Sequence, residues 1–176
     1  MADNPMKEIA VEKVTLNIGV GEAGQKLENA KTLLNMITGK KPATTVARIR
    51  SPTWGLKMGD PIGTKVTVRG AAAKELLKRA LEAVDHRMNA RSFDRGGNFA
   101  FGIREYIDFP GLKYDPRIGM MGFDVCVTLK RRGGRVLKRK RAAAQKIARS
   151  HKVSADDARE FAKSALGVKF IEAAEQ

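Results

Sequence analysis

The stretch IAVEKVTLNIGVGEAGQKLENAKTLLNMITGK, residues 9–40, decides the fold because its hydrophobic period changes part-way along it. Up to residue 20, apolar and polar residues alternate, which is typical of a strand with one buried face. After the turn at 21–24, apolar residues recur at helical spacing, and Gly39 stands where a helix C-cap is expected. The apolar positions are Val14, Leu16, Ile18 and Val20 in the strand and Leu27, Ala30, Leu34 and Ile37 in the helix. The stretch therefore predicts a strand–turn–helix unit.

The rest of the chain up to residue 130 repeats these two patterns. The alternating segments, which predict strands, are 43–50, 64–70, 98–107 and 123–130. Residues 71–84, AAAKELLKRALEAV, predict an amphipathic helix, and the glycine-containing segments 51–63 and 91–98 predict loops. Half-buried strands combined with two helices predict an α+β, two-layer domain, in which a mostly antiparallel sheet carries both helices packed on one face.

The composition changes after residue 130. Between Lys130 and Lys152 the chain has eleven lysines and arginines and no acidic residue. Ser154 and Asp157 are spaced as in a capping box, which predicts a short helix that Gly167 terminates. We therefore predict a core over residues 1–130 and a basic C-terminal extension with a short helix over residues 131–176.

The charge of the chain indicates the class of its partner. Its 176 residues include 34 lysines and arginines against 19 aspartates and glutamates, a formal net charge of +15. Such a basic domain usually binds a polyanion, either nucleic acid or an anionic membrane surface. Cys126 is the only cysteine and the chain has two histidines, His86 and His151. An intramolecular disulfide is thereby excluded, and so is a zinc site built from Cys and His alone.

The N-terminal residues 1–10, MADNPMKEIA, do not have the apolar segment of a secretory leader. No run approaches the roughly 18 apolar residues of a membrane span. We therefore expect a soluble, intracellular protein without a membrane partner.

An enzymatic alternative rests on GVGEAG, residues 19–24, which matches the GxGxxG pattern between a strand and a helix. Against a dinucleotide site, Glu22 would lie where the pyrophosphate binds, and Arg48 and Arg50 stand where an acid should contact the ribose. Cys126 and the histidines have no recognisable partners for nucleophilic catalysis. We predict no enzyme, no cofactor, no metal and no small-molecule substrate. A small NADP-binding oxidoreductase and a free-standing DNA-compacting protein remain the alternatives.

The polar sides of three predicted strands carry small hydrogen-bonding residues interleaved with cations, and Asp124 is the exception. These residues are Thr15, Asn17, Gly19, Lys65, Thr67, Arg69, Cys126, Thr128 and Lys130. Such a sheet face can hydrogen-bond ribose hydroxyls while its cations neutralise phosphates. Because it has no stacking aromatics, it favours recognition of RNA shape.

Two further segments point to nucleic acid. In the loop 51–63 and just before it, Arg48, Arg50 and Lys57 surround Trp54, which either stacks on a base or folds back onto the core. The basic segment 130–152 either binds phosphates in a salt-dependent way or is a solvated tail.

Five segments, in order, resemble large-subunit ribosomal protein five, the family that binds 5S rRNA. They are KVTLNIGVGEA (13–23), GKKPATTVARI (39–49), GDPIGTKVTVRG (59–70), SFDRGGNFAFGIREYIDFPGLKYD (92–115) and GMMGFDVCVTL (119–129). The tail, with SHKVSADDAREFAKSALGV (150–168), is similar to the archaeal and eukaryotic branch, and a chain of prokaryotic size with this tail indicates an archaeon. Compared with the bacterial form, the chain lacks an additional N-terminal helix and continues past the last strand.

The resemblance implies a cytoplasmic, ribosome-bound protein that helps attach 5S rRNA in the central protuberance. The implied partners are 5S rRNA, large-subunit rRNA, the P-site tRNA and small-subunit ribosomal protein thirteen. The family's 5S-contacting positions correspond to Asn17, Thr67 and Lys40, the last being a position that is often Gln. With neighbouring cations, the candidate RNA-binding residues are Asn17, Lys40, Lys41, Arg48, Lys65, Thr67, Arg69, Lys130, Arg131 and Arg132.

The resemblance also implies two contact regions outside the sheet. The loop that extends towards tRNA corresponds to residues 50–58, and the bridge to small-subunit protein thirteen is placed at 91–98. The candidate residues of the tRNA-facing loop are Arg50, Ser51, Thr53, Trp54, Lys57 and Met58.

Overall fold

A computed structural model describes residues 4–139 and 143–171 of the chain. The strands are Ile9–Gly19 (β1), Ala43–Val46 (β2), Pro61–Arg69 (β3), Arg87–Asn89 (β4), Phe99–Ile103 (β5), Phe123–Arg131 (β6) and Lys169–Ile171 (β7). The α-helices are Gln25–Thr38 (α1), Ala71–Glu82 (α2) and Ala155–Leu166 (α3).

Five of the strands form one sheet in the order β2-β3-β1-β6-β5, and every neighbouring pair is antiparallel. This confirms the predicted α+β fold. The predicted strand 43–50 is shortened, since pairing by β2 ends at Val46 and the chain continues into a projecting hairpin. The predicted strand 98–107 ends at Ile103, because Tyr106–Asp108 form a short 3₁₀ helix.

The core lies between one face of this sheet and the helices. Alternate residues of β1 and β6 are fully buried there, among them Val14, Leu16, Val125 and Val127. They pack in one cluster with Leu33 and Leu34 of α1 and Leu77 and Leu81 of α2. Because burial of apolar surface drives folding, this cluster fixes which side of each strand faces outwards.

The turn between β1 and α1 does not belong to a dinucleotide-binding unit. That unit requires parallel strands joined through a helix, whereas both neighbours of β1 in the sheet are antiparallel to it. Glu22 lies in the turn and its carboxylate is 2.7 Å from the Lys26 ammonium. The glycines are needed for the backbone conformation of the turn, since Gly21 and Gly24 have positive φ angles of 81° and 135°, which other residues rarely adopt.

The C-terminal segment packs onto the same core. Val153, Ala158, Ala162 and Val168 are buried in the core cluster, and β7 pairs in parallel with β4. The predicted capping box is present, because the Ser154 hydroxyl accepts from the Asp157 amide and the Asp157 carboxylate accepts from the Ser154 amide. The predicted helix is therefore confirmed, while the division of the chain at residue 130 stays a prediction. Within the described ranges, no helix combines the length and the apolarity that a membrane crossing requires.

Candidate nucleic-acid interface

The side of the five-stranded sheet that faces away from the core, here called the outer face, carries three rows of side chains. The strand register defines these rows. The central row is Ala43, Lys65, Asn17, Asp124 and Gly102; the second row is Thr67, Thr15, Cys126 and Ala100; the third row is Arg69, Lys13 and Thr128. All of these residues are exposed or half-buried. The alternation of the sequence predicted this face correctly for three strands.

Polar groups of the outer face remain available for a ligand. The hydroxyls of Thr15 and Thr67 lie 3.3 Å apart, and either can donate to the other. The Asn17 amide and the Lys65 ammonium form no hydrogen bond or ion pair with any residue in 4–139 or 143–171. An amide next to a free cation matches the needs of a ribose–phosphate backbone.

Two exposed lysines extend the cationic surface along one edge of the sheet. Lys40 and Lys41 follow the C-cap of α1, where Gly39 adopts a left-handed conformation with φ of 63°. They lie directly before β2, whose Ala43 pairs with Lys65 of the central row. The structure thus brings Lys40 and Lys41 to the border of the outer face.

The loop that joins β2 and β3 is an extended hairpin over residues 47–60. Ser51 and Leu56 exchange two backbone hydrogen bonds of 3.0 Å, and the tip turns through Pro52–Trp54 and the left-handed Gly55. Trp54 is 77% exposed, so it does not fold back onto the core, and Met58 is also exposed. The exposed cations of the hairpin are Arg48, Arg50 and Lys57. A projecting aromatic group among cations is suited to contact with a nucleic acid.

Two family matches cover most of the chain. Residues 4–57 match the family described as ribosomal protein L5, and residues 61–170 match the one described as the ribosomal L5P family C-terminus. The chain belongs to the ribosomal protein L5 family. The resemblance drawn from the sequence is therefore confirmed.

Archaeal relatives of this L5-family chain match it along nearly its whole length. "Large ribosomal subunit protein uL5" of Sulfurisphaera tokodaii is 48% identical over 169 residues, 96% of each chain. The protein of the same name from Nanoarchaeum equitans is 47% identical over 96% of this chain and 99% of its own. The Archaeoglobus fulgidus protein is 47% identical over 94% of this chain and 92% of its own. The chain is thus of the archaeal type, and RNA binding is consistent with its family.

The structure separates the three cations at the end of β6. Lys130 lies on the outer face, opposite Ala10 of β1. Arg131 points to the core side, where its side chain is 12% exposed and donates to the Asp157 carboxylate at 2.7 Å. Arg132 pairs with Glu8 at 2.6 Å on the surface. Arg131 therefore does not belong to the outer face of this L5-family protein, since alternation along β6 turns it inwards.

A cavity of about 410 Å³ lies near Lys130, between the sheet and the C-terminal segment. Its cationic lining includes Arg95, Lys130, Arg135 and Lys152. Glu12 and the apolar residues Leu129 and Val153 also line it. The described part of the basic segment therefore lies next to the end of β6, where Lys130 belongs to the outer face.

The loop 91–98 is held in one shape by Asp94. Its carboxylate accepts from the Gly96 amide at 2.9 Å, the Asn98 amide at 2.7 Å and the Asn98 side chain at 2.8 Å. Gly97 packs so tightly on Val153 that an added Cβ would lie 2.5 Å from that side chain. The contact of this loop with small-subunit protein thirteen stays a prediction.

Cys126, His86 and His151 are the side chains considered above for nucleophilic catalysis. Partial burial, and then the charge of Asp124, raise the pKa of the Cys126 thiol, which disfavours the reactive thiolate. His86 Nδ1 lies 3.2 Å from the Leu166 carbonyl, and His151 Nε2 lies 2.8 Å from the Arg132 carbonyl. Across residues 4–139 and 143–171, no three His, Cys, Asp or Glu side chains gather as metal ligands.

The residues predicted from the sequence to contact RNA or tRNA do not include Lys13 and Ile49, although both are at least partly exposed near the candidate interface. Lys13 lies in the third row between Arg69 and Thr128, and the alternation of β1 already places it outwards. Ile49 is 80% exposed on the hairpin near Trp54, and only the structure shows that the hairpin projects.

Proposed function

We propose that this protein of the large ribosomal subunit binds 5S rRNA through its outer face and the loops bordering it. By doing so it helps attach 5S rRNA in the central protuberance of a ribosome in the cytoplasm. The observation that supports the proposal most is the position of Asn17. Its amide, which has no hydrogen-bond partner among residues 4–139 and 143–171, lies in the central row of the outer face, next to Lys65, at a position that the family resemblance assigns to 5S contact.

Affinity and orientation come from different residues. The cations Lys13, Lys65, Arg69 and Lys130, with Lys40 and Lys41 at the edge, neutralise phosphates and release counterions. Asn17 and Thr67 supply directional hydrogen bonds, which fix the register of the RNA on the sheet. Small residues lie at both edges of the outer face: Ala43 on β2, and Ala100 and Gly102 on β5. Low edges let the wide, shallow minor groove of an RNA helix reach the polar groups on β1 and β3.

Other contacts follow from the loops. The 47–60 hairpin reaches towards the P-site tRNA and places Trp54 against it. The basic segment after Lys130 contacts large-subunit rRNA, which is supported by the cations lining the neighbouring cavity. The loop 91–98 joins the bridge to small-subunit ribosomal protein thirteen, which is supported by its fixed shape.

A competition experiment tests the function. The purified protein is titrated with a 5S rRNA transcript, with random duplex DNA of the same length and with an unrelated structured RNA, all at the same salt concentration. We expect 5S rRNA to bind most tightly. Equal affinity for random DNA would instead support the DNA-compacting protein, and stabilisation by NADP without RNA binding would support the oxidoreductase.

A further inference from the structure

Asp124 is the only acidic residue in the three rows of the outer face, all of which the structure describes. It lies in the central row, with Asn17 on one side and Gly102 on the other. Its carboxylate has no hydrogen-bond or ion-pair partner within residues 4–139 and 143–171. A Cβ added at Gly102 would lie 3.6 Å from Asp124 Oδ1, so the glycine leaves space beside the carboxylate.

An unpaired carboxylate is unfavourable on a surface that binds phosphates. It repels the RNA backbone, and the nearest cation of its row, Lys65, is two strand spacings or about 10 Å away. If the surface only attracted phosphates, a neutral residue at position 124 would give a higher affinity for RNA. The position therefore indicates a ligand group that donates hydrogen bonds to the carboxylate.

The neighbouring Asn17 indicates which kind of ligand group donates to the Asp124 carboxylate. Facing side chains on adjacent antiparallel strands have Cβ atoms about 4.5–5.5 Å apart, so both side chains can reach one ligand group. Together they offer two carboxylate acceptors next to an amide donor. In the minor groove of an RNA helix, guanine presents the complementary pair: its N2 amino group donates and its N3 accepts. The other three bases present only acceptors on that side.

We infer that Asp124 and Asn17 together recognise a guanine of the RNA bound on the outer face, an inference that rests on the proposed function. The carboxylate accepts from the guanine N2 amino group, and the Asn17 amide donates to an acceptor on the same guanine. Charge-assisted hydrogen bonds of this kind are about twice as strong as neutral ones. Any base that turns an acceptor towards the carboxylate is repelled, which makes Asp124 a specificity-determining residue.

The substitution Asp124→Asn tests the inference, because electrostatics alone and guanine recognition predict opposite results. Removing a negative charge should tighten RNA binding if the carboxylate only repels phosphates. If it accepts from guanine, Asp124→Asn removes the charge that strengthens this hydrogen bond and replaces one of the two acceptor oxygens by a donor, so 5S rRNA binding should weaken by about tenfold. The matched control is Glu75→Gln, which changes the net charge equally at an exposed position of α2, on the opposite side of the sheet. Circular dichroism checks that both variants keep the fold.

Analogue interference identifies the guanine directly. The 5S rRNA is transcribed with a small fraction of inosine phosphorothioate, which lacks the N2 amino group, and the bound RNA is separated from the free RNA. With the unsubstituted protein we expect inosine to be depleted from the bound RNA at one or more positions. With Asp124→Ala, at least one of these depletions should disappear.

Three results would overturn the inference. They are unchanged or tighter binding by Asp124→Asn, no depletion of inosine, and depletion that persists in Asp124→Ala. If 5S rRNA binds the unsubstituted protein in these experiments, the proposed function stands and only the guanine contact fails. If the unsubstituted protein does not bind 5S rRNA, the proposed function fails as well.

Discussion

The hydroxyl oxygens of Thr15 and Thr67 lie 3.3 Å apart, across the β1–β3 pair and one row from Asn17. This contact holds the Thr67 side chain in place and leaves part of its hydrogen-bonding capacity for a ligand. Two residues that the sequence pattern could only assign to a common face are thus neighbours on a prearranged surface.

The first prediction concerns this surface. Asn17→Ala and Thr67→Val should each weaken 5S rRNA binding by about 1–3 kcal/mol, because each leaves a polar group of the RNA without its partner. Electrophoretic mobility shift at fixed salt measures the affinity. Asn35→Ala, an exposed position of α1, is the control and should bind as the unsubstituted protein does. Unchanged affinity of the Asn17→Ala, Thr67→Val double variant would remove both residues from the interface.

The second prediction concerns the link between β6 and α3. Asp157→Ala removes the partner of the largely buried Arg131 and the carboxylate of the capping box. The free energy of unfolding should fall by about 1–3 kcal/mol, measured by denaturant titration. Asp156→Ala is the control, since the Asp156 side chain is 85% exposed and its pair with Arg159 is on the surface. Equal effects of the two substitutions would show that the Arg131–Asp157 contact does not stabilise the fold.

The third prediction is the pH dependence of the same contact. Hydrogen bonding from the Ser154 backbone amide, then from its side chain, and the charge of Arg131 lower the pKa of Asp157 below its usual 3.8, although burial opposes this. Because the pKa is lower in the folded protein, the stabilisation is fully present above the unfolded value and is lost as pH falls through the folded one. The stability difference between the unsubstituted protein and Asp157→Asn should therefore be constant near neutral pH and shrink below about pH 4. A difference that does not change with pH in acid would contradict this assignment.

The fourth prediction concerns the basic segment. Deletion of everything after residue 130 is a poor test, because it removes Val153, Ala158 and Ala162 from the core. The exposed cations are instead replaced by glutamine; they are Arg135, Arg139, Lys146, Arg149 and Lys152. The slope of log affinity for ribosomal RNA against log salt should flatten by about 0.7–0.9 for each phosphate that the variant no longer neutralises. A slope equal to that of the unsubstituted protein would place this segment away from RNA.

The fifth prediction concerns the hairpin tip. Since Trp54 is 77% exposed, Trp54→Ala should leave the free energy of unfolding within about 0.5 kcal/mol of the original value. Because the substitution removes the indole ring on which the tRNA stacks, P-site tRNA should bind reconstituted ribosomes more weakly by about 1–3 kcal/mol, measured by filter binding. Tyr114→Ala is the control, because it removes another exposed aromatic outside the hairpin. If both variants bind tRNA equally well, Trp54 does not contact it.

The elements with a long and regular period could be predicted from the sequence. In β1, burial alternates from Lys13 to Gly19 as the sequence does, and in α1 the residues with helical spacing, Leu27, Ala30, Leu34 and Ile37, are buried. The β4–β7 pair could not be predicted, since each strand has only three residues and no period can be read from three positions. Its parallel pairing depends on how α3 packs, which is a long-range contact.

The candidate site was predictable where side chains follow strand alternation and not where they depend on tertiary partners. Asn17, Lys65 and Thr67 lie on the outer face as their register requires. Arg131 is predicted as an RNA-binding cation, and its contact with Asp157 could not be read from the sequence because it joins β6 to α3, 26 residues further along the chain. That Asp124 has no partner in the described part of the chain could not be read from the sequence, because neighbours across a sheet depend on strand order.

Cys126 offers the most direct measurement, because the chain's single cysteine lies in the second row of the outer face between Thr15 and Ala100. Its alkylation by iodoacetamide is followed by mass spectrometry, at a mildly alkaline pH that offsets its raised pKa. We expect saturating 5S rRNA to slow the reaction in proportion to the fraction of protein bound, and random duplex DNA at the same concentration to have little effect. An alkylation rate that 5S rRNA leaves unchanged while it is bound would show that the RNA does not cover the outer face.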